Sequence, residues 1–306
     1  MPARPYHTGR SHRVPPSSRT TGAHRHAGSR GSNWHGIHLL RSGSIIDGVV
    51  SSAALGPDHL VLDLGAGPGT LTAPLAETGA RVLAIEREAG FVARLHKRFG
   101  DCPNVRVVEA DLRVVPLPRK AFQVVASIPY ALSTGLFRRL LDPAQTAIDA
   151  ADLVVEWGFA KRMTRRIPRD LETAWWGGRF ELRIVRKIPT AAFSPAPAVD
   201  GAHLEVRRRP GMARRPVAGA LHGVLAAAYR DPRRTTREVL ATVVPKKRVN
   251  GLLSLASLPP TAAAGQIDVA QWADVARRIA ADPTLPNPPL PRSLERGPSL
   301  NARRRW

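Results

Sequence analysis

The chain has 306 residues, with 46 Lys and Arg against 24 Asp and Glu and a net charge of +22. That length holds a full α/β core with an accessory unit, and the charge points to a polyanion such as nucleic acid while saying nothing of fold. No apolar run of roughly 18 residues supports a membrane span, and no apolar stretch near the start supports a secretory leader, so the cytoplasm is the expected compartment. The single cysteine, Cys102, excludes an internal disulfide framework, and without His partners at ligand spacing no zinc or other metal site is expected.

In chain order, residues 1–33 carry six arginines, no acidic residue and little to bury, which predicts a disordered basic tail. From there short β-branched runs alternate with helical patterns, the signature of a parallel α/β sheet. Strands are predicted over 60–64, 81–86, 105–109, 122–127 and 152–157, with helices over 44–55, 70–78, 88–99 and 134–141. Runs at 181–188 and 203–208 flank a Pro-rich connection too short for a crossover helix, so they are predicted to pair as an antiparallel hairpin. After Pro210 the pattern turns to Ala/Leu-rich helices over 217–229, 235–244, 250–258 and 269–281. The predicted organisation is a sheet domain over 34–209, a small helical domain over 210–282 and a disordered Pro/Arg-rich tail over 283–306.

The first strand runs through Leu62-Asp63-Leu64 into Gly65-Ala66-Gly67-Pro68-Gly69, a turn in which glycines let backbone N–H groups approach a ligand. Glu86 ends the second strand, where a carboxylate can accept both hydroxyls of a ribose. Asp111 follows the third strand, placed for an adenine edge. A dinucleotide and S-adenosylmethionine both fit such a set. The short G-x-G-x-G loop, with Asp63 before it, suits a cationic amino acid better than a pyrophosphate and favours the methyl donor. After the fourth strand come Ser127, Ile128, Pro129 and Tyr130. The Ser127 hydroxyl and the Ile128 carbonyl are placed to accept the two N–H groups of an adenine amine and draw its lone pair toward a methyl sulfonium, and Tyr130 to stack on the base. Orientation and electrostatics carry such a reaction, and the target base must be unpaired or flipped out. Lys161, Arg162, Arg165, Arg166 and Arg169 follow the fifth strand, near the base entrance. Arg207–Arg209 with Arg214 and Arg215, and Arg230, Arg233, Arg234 and Arg237, are further candidate phosphate contacts.

With these motifs in this order, residues 34 to 209 resemble the Erm and KsgA superfamily of ribosomal RNA adenine N6-methyltransferases. The resemblance rests on His38-Leu39-Leu40-Arg41-Ser42, the glycine loop, Glu86, Glu109-Ala110-Asp111-Leu112, Ser127–Tyr130, Phe180–Arg183 and Ala192-Phe193-Ser194-Pro195-Ala196-Pro197-Ala198-Val199-Asp200. It implies a Rossmann-like class I methyltransferase sheet with a small C-terminal helical domain. It also implies S-adenosylmethionine contacts at His38, Leu40, Gly65, Glu86, Asp111 and Ser127, beside Asp63 and Gly67. Leu153–Trp157 and the Trp175-Trp176 pair look closer to the Erm branch, which implies an adenine of large-subunit rRNA and macrolide, lincosamide and streptogramin B resistance. A monomer that needs no protein partner and no membrane is expected. The alternatives are a KsgA-like dimethyltransferase of small-subunit rRNA, a small-molecule methyltransferase, and a non-catalytic RNA-binding relative. The family usually has Asn at 127, Gln at 37 and Phe at 39, where this chain has Ser127, Ile37 and Leu39. Serine is the shorter acceptor, so slow or mainly mono-methylation is expected.

Overall fold

The computed structural model describes residues 38–295; the tail expected over 1–33, Ile37 and residues 296–306 lie outside the described residues. Strand β1 (Leu39–Leu40) leads into helix α1 (Gly43–Ser52). Four strands then form with the predicted bounds: β2 (Leu60–Leu64), β3 (Arg81–Glu86), β4 (Val105–Glu109) and β5 (Phe122–Ser127). Parallel neighbours need crossovers, which α2 (Thr72–Glu77) and α3 (Ala89–Phe99) supply after β2 and β3, and α4 (Ser133–Leu141) after β5. The next strand, β6 (Ile148–Glu156), starts four residues before its predicted start, and Trp157 belongs to helix α5 (Trp157–Met163). The Glu156 carboxylate explains the boundary. It accepts the N–H groups of Gly158 at 2.7 Å and Phe159 at 3.1 Å, a cap that starts the helix.

Helix α6 (Leu171–Arg179), absent from the sequence reading, begins where the Asp170 carboxylate accepts the Thr173 N–H at 2.8 Å. It runs into β7 (Phe180–Ile188), which is followed by the two-residue β8 (Phe193–Ser194) and by β9 (Gly201–Arg208). The hairpin is antiparallel as predicted, and β9 inserts between β6 and β7, giving the order β4-β3-β2-β5-β6-β9-β7. Five parallel strands therefore end on one edge, with β2 and β5 adjacent at the centre.

Alternation along the strands sorts the sheet's two faces. Val61, Val82, Val125 and Val154 pack beneath α1 and α2 with Ile45, Val49 and Leu75. Leu62, Leu64, Val124, Ala126, Leu153 and Val155 pack with α4, α5 and α6 on the other side. Each fully buried Leu or Val contributes roughly 1.5–3 kcal/mol of transfer free energy. Trp175 and Trp176 anchor that second layer: their indole N–H groups donate to the Asp142 carbonyl at 3.0 Å and the Asp142 carboxylate at 2.7 Å. Arg179 is wholly buried and closes the same loop, donating to the carbonyls of Leu141, Pro143 and Ala144 at 2.5, 2.9 and 3.0 Å, with its guanidinium over Trp175.

The C-terminal helices are α7 (Arg215–Arg230), α8 (Thr236–Leu240), α9 (Lys246–Leu255), α10 (Val269–Ala281) and α11 (Arg292–Glu295). Against expectation, α8 is short and α9 begins at Lys246 rather than 250. Pro245 stands between them, and a proline ring does not fit a helix interior. These helices share one continuous apolar core with the sheet, through Leu221, Val224, Trp272 and Val275. The stretch 283–295, expected as a loose tail, is packed. Leu285 and Leu290 are buried, Pro288 lies against Gly219 and Gly223 of α7, the Leu294 carbonyl accepts the Ala144 N–H at 2.8 Å, and Glu295 pairs with Arg215. Composition alone does not reveal that two glycines on α7 leave a slot for this segment. No described helix is long and apolar enough to cross a membrane.

Candidate active site

At the carboxyl edge of β2 the chain turns through Gly65, Gly67 and Gly69 with φ of +81°, +55° and +87°, a conformation that side chains with a Cβ resist. The Gly65 and Ala66 N–H groups donate to the Ile85 carbonyl at 2.8 and 3.0 Å, which ties the loop to β3. Below it, Asp63 is buried and accepts the Thr72 hydroxyl at 2.7 Å, joining β2 to the start of α2. Burial pushes its carboxyl up to about 7; the Thr72 hydrogen bond pulls the other way and the charge of Glu86 adds to the rise. Glu86 itself accepts the Gly67 N–H at 2.8 Å on one oxygen and those of Arg87 and Glu88 at 2.7 and 2.9 Å on the other. A carboxylate has about four acceptor directions, so roughly one is left. That suits one ribose hydroxyl rather than the two expected.

Asp111, expected as a free acceptor, is in an ion pair. It accepts the backbone N–H of Arg113 at 2.8 Å, and the Arg113 side chain at 3.0, 2.9 and 2.5 Å. That guanidinium holds the Asp111 carboxyl down near 2. Opposite the glycine loop, β1 pairs antiparallel with β8, and His38 Nδ1 lies 2.9 Å from the Pro195 carbonyl oxygen. This pairing brings two distant segments together as one wall, with Leu39 against Gly67.

The turn Ser127–Tyr130 leaves β5 beside β6, with Ser127 opposite Val154 in register. The Ile128 N–H donates to the Val154 carbonyl at 3.0 Å, which fixes the turn. Among the described residues nothing donates to the Ile128 carbonyl or bonds the Ser127 hydroxyl, so both acceptors stay open. The Pro129 carbonyl accepts the Leu132 N–H at 2.8 Å and starts the short helical turn before α4. Tyr130 lies edge-on to Phe193, with ring centroids 6.5 Å apart, and 6.3 Å from the His38 ring. Its hydroxyl is buried without a partner, close against Gly201. Burial, then the charges of Glu156 and Asp200, push that phenol up to about 12.

A cavity of about 230 Å³ collects these groups. His38, Leu40, Asp63, Gly65, Gly67, Glu86, Asp111, Ser127, Ile128, Pro129 and Tyr130 all line it, at the carboxyl edge of the parallel strands where ligands bind in open α/β sheets. Phe193, Arg87 and Arg113 line it as well and were not expected in that role. Phe193 belongs to the stretch Ala192–Asp200, and the β1–β8 pairing, with Leu40 opposite Phe193, sets it in the wall of the cavity. The donor and acceptor set fits S-adenosylmethionine: a narrow glycine turn, an acid at the ribose position, an acid at the adenine position and a buried acid for an ammonium group.

The basic residues sort into two classes. Lys161, Arg162 and Arg165 are exposed and make no ion pair among the described residues; Lys161 lies over Trp157 and Arg162 over Phe159. Arg166, expected among them, pairs with Asp268 at 2.7 Å and links the α5–α6 loop to α10. The Arg207–Arg209 run is turned inward. Arg207 binds Asp152 at 2.7 Å and the Ser52 carbonyl at 2.8 Å, Arg208 the Thr146 carbonyl at 2.8 Å, and Arg209 the Gly177 carbonyl at 3.0 Å. Arg233 pairs with Asp231, and Arg237 bonds Asn250.

The model of the ribosomal RNA adenine dimethylase family matches residues 29–281. An rRNA adenine N-6-methyltransferase of Bacillus licheniformis is 34% identical over 177 residues, 58% of this chain and 62% of that protein, so the chain spans under two thirds of that relative. Ribosomal RNA small subunit methyltransferase A of Synechococcus sp. (strain RCC307) is 31% identical over 265 residues, 82% of this chain and 96% of that protein. Among solved structures, 23S rRNA methyltransferase ErmE superposes with a TM-score of 0.66 at 26% identity, over 78% of this chain and 98% of that one.

Proposed function

This chain belongs to the ribosomal RNA adenine dimethylase family, and on that premise we propose that it methylates N6 of an adenine in large-subunit rRNA with S-adenosylmethionine as donor, conferring macrolide, lincosamide and streptogramin B resistance. The observation that carries the reading is the pair of open acceptors at the turn after β5, facing the same cavity as the glycine loop and its acids. S-adenosylmethionine, when bound, supplies the electrophilic methyl group. The Ser127 hydroxyl and the Ile128 carbonyl accept the two N–H groups of the target amine and turn its lone pair toward that methyl. The Tyr130 ring supports the base through its face, because its hydroxyl is turned into the protein. Asp63 meets the ammonium group of the donor, and Glu86 one ribose hydroxyl. Lys161, Arg162 and Arg165 hold the RNA backbone beside the entrance, since no carboxylate among the described residues neutralises them. The setting is the cytoplasmic ribosome, and a monomer suffices for this chemistry.

A second reading, methylation of small-subunit rRNA, is supported by the Synechococcus relative, which aligns over more of its length than the Bacillus one. The experiment is methyl transfer from labelled donor to deproteinised large- and small-subunit rRNA, with the product mapped by primer extension. Label at one large-subunit adenine is expected. Label in the small-subunit RNA overturns the target, and none in either overturns the enzyme reading in favour of a non-catalytic RNA-binding protein or a small-molecule acceptor. Ser127→Asn, which restores a longer acceptor, is expected to raise turnover by up to ~10² and to shift product toward the dimethyl form. An unchanged rate and product ratio by nucleoside mass spectrometry refutes a limiting role for Ser127.

A further inference from the structure

Asp111 is the carboxylate that the proposed cofactor site needs at the adenine edge, and each of its two oxygens is already engaged by Arg113. Three N–H groups make four contacts with its two oxygens: the side-chain Nε–H is shared between both, Nη2–H donates to Oδ2 and the backbone N–H to Oδ1. The two kinds of contact differ in what they do. The backbone N–H at 2.8 Å is fixed by the turn after β4 and orients the carboxylate. The guanidinium stands on the outer side, on a side chain that is 58% exposed, and it lines the same cavity as Asp111. Arg87 is 3.7 Å away, so a second cation faces the same oxygen. An exposed pair of this kind exchanges partners at little cost.

We propose that Arg113 sets the affinity and base selectivity of the adenine subsite by competing with the purine 6-amino group for Asp111. The inference rests on the cavity being an S-adenosylmethionine site. An adenine amine that bonds Asp111 displaces at least one guanidinium N–H, while the Arg113 backbone N–H keeps the carboxylate in place. A purine with a 6-oxo group meets the opposite balance: its oxygen is repelled by Asp111 and attracted by Arg113. Arg113 therefore weakens the binding of aminopurines and tolerates oxopurines.

The test is calorimetric titration of the full chain and of Arg113→Ala with S-adenosylhomocysteine. The variant is expected to bind about two- to fivefold tighter, the scale of one exposed ion pair. Raising salt from low to high is expected to bring the wild type toward the variant, because salt screens the competing pair. Two shorter probes read selectivity. 5′-Methylthioadenosine is expected to gain affinity in the variant and 5′-methylthioinosine to lose it. Equal or weaker binding of S-adenosylhomocysteine by Arg113→Ala overturns the competition, and a change of the same sign for both short probes overturns the selectivity. A wild-type chain that binds no S-adenosylhomocysteine overturns the cofactor reading and this inference with it.

Discussion

Gly201 opens β9 opposite Glu156 and leaves room for the end of Tyr130. A Cβ built at this position lies 2.8 Å from the Tyr130 hydroxyl oxygen, 3.2 Å from Phe193 Cζ and 3.3 Å from the Val155 carbonyl oxygen. To regain an ordinary contact of 3.4 Å, the hydroxyl must retreat by roughly 0.6 Å. A phenol ring is rigid, so the whole ring moves, and the free direction is the cavity it lines. Misplacing a reacting geometry by an ångström costs on the order of 10² in rate, so Gly201→Ala is expected to slow methyl transfer by about tenfold. The assay is single-turnover methylation of the large-subunit rRNA, with S-adenosylhomocysteine affinity measured in parallel. Removing the oxygen gives back the space, so Gly201→Ala with Tyr130→Phe is expected to recover to within about twofold of Tyr130→Phe alone. Tyr130→Phe itself should keep most activity, because its hydroxyl bonds nothing among the described residues. A wild-type rate in Gly201→Ala, or a loss that Tyr130→Phe does not relieve, refutes the reasoning and leaves Gly201 as a packing residue of the strand.

Asp63 gives a pH signature of defined sign. Its folded pKa is raised to about 7, so its contribution to stability is full below about pH 4 and is lost as pH rises through 7. A cationic group needs the ionised form, so S-adenosylhomocysteine affinity is expected to rise through pH 7 with proton release. Calorimetry in buffers of different ionisation enthalpy measures that release, and Asp63→Asn should abolish it; a pH-independent affinity counts against Asp63 as the ammonium partner. Separately, the sorting of the cations predicts that Ala substitution at Lys161, Arg162 or Arg165 weakens RNA binding and lowers the salt slope by roughly one per phosphate lost. Arg166→Ala, whose charge Asp268 already meets, should leave the slope unchanged and cost at most about 1 kcal/mol of stability by thermal melting. A slope drop for Arg166 equal to that for Arg162 refutes the sorting.

Strands β2, β3 and β5 were legible because each is buried enough to read as a short apolar run between polar turns, and the edge strand β4 because Val105, Val107 and Val108 give it a β-branched run of its own. Strand β6 was not. Its first residues, Ile148-Asp149-Ala150-Ala151, lack a strand pattern of their own, and pairing with β5 and β9 forms them. Helix α6 escaped for a related reason: Trp-Trp-Gly-Gly is a poor helical sequence, made helical by the Asp170 cap and by two indoles that reach Asp142. The candidate site divides along the same line. The identities of Gly65, Glu86, Asp111 and Tyr130 follow from local motif spacing, and the cavity collects them. What each carboxylate has left to offer depends on neighbours that no motif specifies: three backbone donors on Glu86, and the Arg113 guanidinium on Asp111.

Charge shows the limit most clearly. Arg207, Arg208 and Arg209 and the group from Lys161 to Arg166 read alike in sequence, as dense cations at element ends. The fold leaves the part-buried carbonyls of Ser52, Thr146 and Gly177 within reach of this run, and carbonyls withdrawn from water take donors, so the first run turns inward. Helix α5 satisfies its own backbone and presents Lys161 and Arg162 over aromatic rings instead. A surplus of +22 therefore does not measure the charge open to a polyanion; the arginines bound to carbonyls and carboxylates must be subtracted first. On that count Lys161, Arg162 and Arg165 are expected to add more to RNA affinity than the run Arg207–Arg209.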